Sequence, residues 1–216
     1  MNTKTELNLY IILSSTPYKM GKFIRTITKN EYNHAAISFD IELKTLYSFA
    51  RHYKKAPFYG GFVTESCLRY NAEKHFSNIK VYAIPLTKKD EECLSDYLNY
   101  FKSHPDKYLY NMFSAILVPF RKKIVINNAF TCVEFVTSIL SLIDERINIL
   151  DYYSIADLEN LYQDKLIYEG IFETTKDVSN WSNDTFLESN GLTTNAFYTA
   201  RSFYRLASNY IQKKPK

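Results

Sequence analysis

Glycine and proline are scarce in this chain of 216 residues, at five and six. Collagen-like and low-complexity architectures need these residues in bulk and are excluded. Cysteine is scarcer still. Cys67, Cys93 and Cys132 are scattered, with no Cys-x-x-Cys pair, so neither a zinc knuckle nor a disulfide framework is suggested. Free thiols fit a reducing compartment, and a cytoplasmic location is expected. Excess charge is small: Lys+Arg 27 against Asp+Glu 23 leaves +4. A nucleic-acid binder would need a clustered basic stripe. The dense clusters, Arg121-Lys122-Lys123 and Lys213-Lys214-Pro215-Lys216, read as a solvated loop and terminus. Long apolar runs are missing too. Leu9 to Leu13 is too short for a signal peptide, and Phe113 to Phe120 is interrupted by Ser114 and Pro119. Both fall far below the roughly 20 residues that span a bilayer. No nucleic-acid partner and no integral membrane segment are expected.

What is abundant is aromatic. Nineteen Tyr and 15 Phe bring the aromatic share to 16%, within 46% hydrophobic and 23% charged residues. That is a globular composition, and its large side chains supply a solid core for one medium domain or one domain with an appendage.

The first half reads mostly as strands. Leu7 to Leu13 is aliphatic and β-prone, ending at Ser14-Ser15-Thr16-Pro17. Lys19 to Thr28 carries Met20, Phe23, Ile24 and Ile27 at helical spacing. His34 to Phe39 and Thr45 to Ala50 form two strands joined by a short connection, an expected antiparallel hairpin. Lys54 to Thr64 holds Pro57 and Gly60-Gly61 and reads as a mobile loop leading into a short extended piece; the glycine pair reads as a flexible turn. Ile79 to Pro85 alternates as a further strand. The second half turns helical. Thr87 is an N-cap with Asp90, Glu91 and Glu92 in the first turn, and Leu94, Tyr97, Leu98 and Phe101 make an apolar face. A second helical pattern runs from about Tyr108 to Leu117, and 124–130 reads as strand or loop. Thr131 to Leu140 is an amphipathic helix, Ser154 to Asp157 resembles a capping box, and 176–194 is polar. An aromatic helix covers roughly Asn195 to Ile211.

Cys132 is the most informative position. It lies in the first turn of a helix, where unsatisfied N–H groups and the positive dipole end favour a thiolate. The same N–H groups can hold an oxyanion. The alternative is a small buried hydrophobe. His34 opens an apolar strand, and a base at a strand end can reach a thiol at a helix start. The alternative is a core or edge histidine. His52, His75 and His104 lie in polar, loop-like surroundings and read as surface residues. Glu134, two residues beyond Cys132, should point away from the thiol's face. Tyr18, Tyr47, Phe58 and Tyr59 are candidates to line a cleft, or equally for core packing.

In order, Asn33-His-Ala-Ala-Ile-Ser-Phe-Asp40, Leu46-Tyr-Ser-Phe-Ala-Arg51, Gly60-Gly-Phe-Val-Thr-Glu65 and Phe130-Thr-Cys-Val-Glu-Phe-Val136 resemble the circularly permuted branch of the NlpC/P60 (papain-like) superfamily. Within it the chain resembles the bacterial YiiX/YaeF-like cysteine amidases or peptidases. In that branch the histidine strand precedes the cysteine helix, as His34 precedes Cys132. The resemblance covers roughly Leu9 to Leu142. It implies an α+β fold, a small antiparallel sheet packed against helices in a permuted papain-like topology. The domain would span 1–150, with a helical C-terminal extension, 151–216, packed on it. It implies Cys132 as nucleophile and His34 as base, with a third polar group to orient the imidazole. Ser48 holds the position of that third group, where the family commonly has His, Asn, Gln or Glu; Glu65 is the alternative orienter or a substrate contact, though a solvated loop carboxylate is the favoured reading for it.

The function so implied is a thiol hydrolase, an amidase, peptidase or acyl transferase working through a thioester. No cofactor and no metal are expected. The substrate would be a small-molecule, peptide or lipid acyl compound. Two rivals stand beside it. One is a degenerate papain-like module that binds a peptide, cell-wall fragment or lipid without turnover. The other is an interaction protein whose segment of Phe197, Tyr198, Phe203, Tyr204 and Tyr210 docks a partner or a second copy.

Overall fold

The computed structural model describes residues 7–56, 58–66, 69–72, 75–172, 184–188 and 190–211. The chain is an α+β protein built on a six-stranded antiparallel sheet. Its strands are β1 (Asn8–Ser14), β2 (His34–Ser38), β3 (Leu46–Arg51), β4 (Gly60–Glu65), β7 (Asn78–Pro85) and β10 (Leu166–Ile171), in the order β10-β7-β1-β2-β3-β4. Two small pairs complete the strands. β5 (Asn71–Ala72) meets β6 (His75–Phe76), and β8 (Leu109–Tyr110) meets β9 (Ala129–Phe130) in parallel. The helices are α1 (Lys19–Thr28), α2 (Lys88–Ser103), α3 (Met112–Leu117), α4 (Cys132–Leu140), α5 (Ile155–Leu161) and α6 (Leu192–Ile211). None among the described residues is long and apolar enough to cross a membrane.

Strand alternation divides the sheet into two faces. Leu9, Ile11, Leu13, Ala35, Ile37, Phe49 and Phe62 bury one face against Leu94, Leu98 and Phe101 of α2 and Phe135, Val136 and Ile139 of α4. Phe49 is the hub of an aromatic cluster, with ring centroids 5.3 Å from Phe135 and 5.7 Å from Phe101. Tyr10, Ile12, Ala36, Leu46, Ile79 and Val81 form a smaller core on the other face with Tyr70 and Phe172.

Four local expectations meet differences. Gly60-Gly61 lies inside β4 rather than in a turn, paired with Arg51 and Ala50. A Cβ on Gly61 would stand 2.7 Å from the Tyr108 carbonyl, and one on Gly60 would collide with the Ala50 carbonyl. These glycines let neighbouring backbones close in, a role that looks like turn chemistry in sequence. The helical pattern from Tyr108 begins as β8, because Asn111 takes the N-cap by accepting from the Ser114 N–H. The segment beyond 150 contributes more than helices: β10 pairs with β7 and extends the sheet. Its residues are mostly exposed, so an edge strand carried no burial signal. Finally, α6 starts at Leu192, ahead of the expected Asn195. It packs on its own chain through Leu206, through Tyr198 stacked on Tyr59 and through Phe203 against Phe58.

Of the basic clusters, Arg121 pairs with Asp157 and Lys123 donates to the Ile149 and Asp151 carbonyls. Residues 213–216, and 176–183 of the polar stretch, lie outside the described residues.

Gly61→Ala is expected to lower stability by about 1–3 kcal/mol through overpacking against β8. Gly191→Ala, whose added Cβ would meet nothing nearer than 4.0 Å, should change it little. Urea midpoints of the two variants check this.

Candidate active site

Cys132 is the first residue of α4, and His34 is the first residue of β2. Each stands at an element end, where a side chain can lean out of its own layer. The position of Cys132 is set by a chain of backbone contacts. β9 ends at Phe130, and Thr131 then caps α4. The Thr131 hydroxyl accepts from the Glu134 N–H at 3.2 Å, and the Glu134 carboxylate accepts from the Thr131 N–H at 2.6 Å. This capping box fixes the helix start and occupies Glu134 there. The Asn111 N–H donates to the Phe130 carbonyl and holds β9 against the β8 end.

The structure brings Cys132 and His34 together in the lining of one cavity, with the thiol near enough to raise the imidazole's proton affinity. On its far side the ring meets Glu65, with Nε2 2.8 Å from Oε1. Glu65, expected as a solvated loop carboxylate, is instead the last residue of β4 and buried, 2% exposed at its side chain against 12% for His34. Three donors converge on this carboxylate. His34 and Ser48 reach Oε1, the Ser48 hydroxyl at 2.5 Å, and the Tyr70 hydroxyl donates to Oε2.

Ser48 was expected beside the imidazole and instead stands behind Glu65. Register explains it. Leu46 pairs with Glu65 and Ser48 with Val63, so Ser48 and Glu65 are diagonal neighbours on one face. The longer carboxylate reaches across to β2, and the hydroxyl steadies it. Tyr70 carried no sequence signal among 19 tyrosines. Nor did Tyr110, which lines the site beside Cys132.

Charge in this cluster is strongly coupled. Burial opposes the charged form of His34, but the Glu65 carboxylate and the contact with Cys132 outweigh it and raise the imidazole well above its ordinary value. Burial likewise opposes the Glu65 charge. His34, then Arg69 and Ser48, overcome it and hold the carboxyl well below its usual range. Burial and the adjacent carboxylate push the Tyr70 phenol up, so it stays a donor.

A cavity of about 610 Å³ opens at this cluster, lined by Cys132, His34 and Glu65 and by Tyr18, Phe58 and Phe186 among others. Tyr47 and Tyr59, the other cleft candidates, stack on Phe62 and Tyr198 away from it. Phe186 is held in place by Asp184, which forms a two-pronged pair with Arg69 at 2.7 Å on both arms. Arg69 also lies over the Phe186 ring. A second cavity of about 310 Å³ also reaches Cys132. His52 and His104 line neither cavity. His52 is half-buried rather than on the surface, packed on Tyr59, and burial lowers its imidazole to about 4. His104 is exposed. Cys93 is exposed on α2. Cys67 and the His75 side chain lie outside the described residues.

The His34 contribution to stability is complete below the ordinary imidazole value of 6.5 and fades as pH rises through the raised one. The Glu65 contribution is complete above the ordinary carboxyl value of 4.5 and fades as pH falls through the lowered one. The pair therefore stabilises most between about pH 4.5 and 6.5. Glu65→Gln is expected to cost about 3–5 kcal/mol there. The difference in melting temperature from the unaltered protein should shrink towards alkaline pH. A difference that grows from pH 6 to pH 10 would contradict the pairing.

No protein-family model matches this chain, and no curated protein or solved structure does either.

Proposed function

We propose that the protein is a thiol hydrolase or acyl transferase that cleaves an amide or ester bond. The observation that carries this reading is a single imidazole held between a thiol and a buried carboxylate, at the mouth of a cavity. Each part has a chemical role. Cys132 Sγ attacks the carbonyl carbon with its proton already carried by His34, whose imidazolium form Glu65 favours. Glu65 balances the imidazolium so formed and fixes the ring by its bond to Nε2. Ser48 and Tyr70 keep the carboxylate oriented. The Cys132 N–H, at the first helical position, has no partner within the helix and can donate to the oxyanion. His34 returns its proton to the leaving nitrogen or oxygen as the C–N or C–O bond breaks, leaving a thioester. An incoming water or other acceptor then gives its proton to His34, attacks the thioester carbon, and the thiolate departs.

The order of histidine strand before cysteine helix, and an antiparallel sheet beside that helix, are what the permuted NlpC/P60 resemblance implies; we extend that family reading to the chain as part of the proposal. A free nucleophilic thiol also suits a reducing, cytoplasmic setting. The rival reading of a degenerate binding module drew on Ser48 as a weak orienter. A carboxylate in contact with the imidazole removes that motive.

Iodoacetamide labelling followed by peptide mapping tests the proposal. Cys132 is expected to react fastest near neutral pH, with the fast phase lost in Cys132→Ala and kept in Cys67→Ala and Cys93→Ala. Glu65→Gln should slow acylation by an activated ester by about 10²–10⁴-fold, and Ser48→Ala by less. Equal labelling of the three cysteines would overturn the reading.

A further inference from the structure

Part of the wall of the larger cavity comes from a segment far along the chain. Asp184, Thr185 and Phe186 form a strap stitched to the chain that leaves β3 and β4. The Thr185 hydroxyl donates to the His52 carbonyl at 3.1 Å, and the Phe186 carbonyl accepts from the Lys54 N–H at 2.9 Å. Phe186 lines the cavity with its ring edge-on to Tyr18, centroids 5.1 Å apart. The Asp184 carboxylate does more than anchor this strap. It accepts at 3.1 Å from the N–H of Ser66, the residue directly after Glu65. It also accepts from Arg69, the residue directly before Tyr70. One carboxylate therefore grips both ends of the turn between Glu65 and the phenol that donates to it.

Arg69 is the informative partner. Its side chain is 7% exposed, and that of Asp184 6%. Nε and Nη2 each donate to the Asp184 carboxylate at 2.7 Å, and Nη1 donates to the Arg51 carbonyl at 2.6 Å. The guanidinium lies over the Phe186 ring, 4.7 Å from its centroid. All three nitrogens of the planar fork are thus engaged with the strap and β3. Yet Arg69 and Glu65 are electrostatic neighbours. Burial opposes the Glu65 charge, and after His34 it is the Arg69 charge that sustains it. A buried guanidinium stripped of its carboxylate is costly. Freed from Asp184, Arg69 would turn to Glu65, and His34 would have to share its carboxylate. The imidazolium is the weaker contender, because it can lose its proton and a guanidinium cannot.

We propose that Asp184 is a positioning residue for the active site: by keeping the Arg69 guanidinium on the strap, it reserves the Glu65 carboxylate for the imidazole of His34. The catalytic meaning of this rests on the thiol reading above; the charge arrangement does not. The titratable groups that share the cavity wall with His34 are Glu65, Tyr70, Cys132 and Tyr110, and the cations there are Arg51 and Arg69. Asp184 is the charge that opposes those cations from behind the wall.

Protonation of the His34 ring is followed by NMR of its nitrogens. Asp184→Asn keeps the shape of the side chain and an acceptor for the Ser66 N–H. Its His34 midpoint is expected to fall by about one pH unit or more. In the double variant Arg69→Gln, Asp184→Asn no free guanidinium remains, and the midpoint should return to within about half a unit of the unaltered protein's. Iodoacetamide labelling of Cys132 at neutral pH should slow about three- to tenfold in the single variant and recover in the double. Damage to packing alone would not be repaired by a second substitution. A crystal structure of Asp184→Asn should show Arg69 directed at Glu65. An unmoved midpoint in the single variant overturns the proposal, and so does Arg69 still lying on Phe186 in its structure. Should Asp184→Asn alone not fold, the double variant decides: a midpoint displaced by more than about one unit overturns the proposal. Slow labelling of Cys132 in the unaltered protein would instead sink the hydrolase reading and leave the His34 titration intact as the test of Asp184.

Discussion

The contact on which the site depends is the one between Glu65 and the His34 ring. A carboxylate with 2% of its side chain exposed is stable only if charge and hydrogen bonds replace the water it has lost. Here an imidazole, a hydroxyl and a phenol do so. The arrangement requires β2, β3 and β4 to pair in register, since His34, Ser48 and Glu65 come from three successive strands. A one-residue slip in β4 would turn Glu65 to the aromatic face of the sheet. The polar cluster and the fold therefore specify each other.

The thiol arrives by a separate route, and β8 couples the two. Gly61, four residues before Glu65, admits the Tyr108 carbonyl to close range. β8 follows at once, pairs with β9, and β9 leads into the capped start of α4. The strand that carries the carboxylate thus also seats the backbone that delivers Cys132. Phe49 and Phe135 lock the same two layers together from the core side. Few soft degrees of freedom remain between sulfur and ring, and short-range chemistry needs that preorganisation.

Elements whose burial follows a simple period were legible in the sequence. β1, β2, β7 and α2 show it, and α4 announces itself through Thr131 and Glu134 as well as through its apolar face. The pairing of Cys132 with His34 was an expectation from element ends and a family resemblance, and the structure places both in the lining of one cavity. What stayed hidden depends on register and on distant partners. Choosing between Ser48 and Glu65 requires knowing that β3 and β4 pair Leu46 with Glu65. β10 is hidden because an exposed edge strand has no apolar alternation. The Arg69–Asp184 clamp joins residues 115 apart, a separation at which neither spacing nor composition carries a signal. Gly60-Gly61 misled because glycine permits a turn and a close strand approach alike.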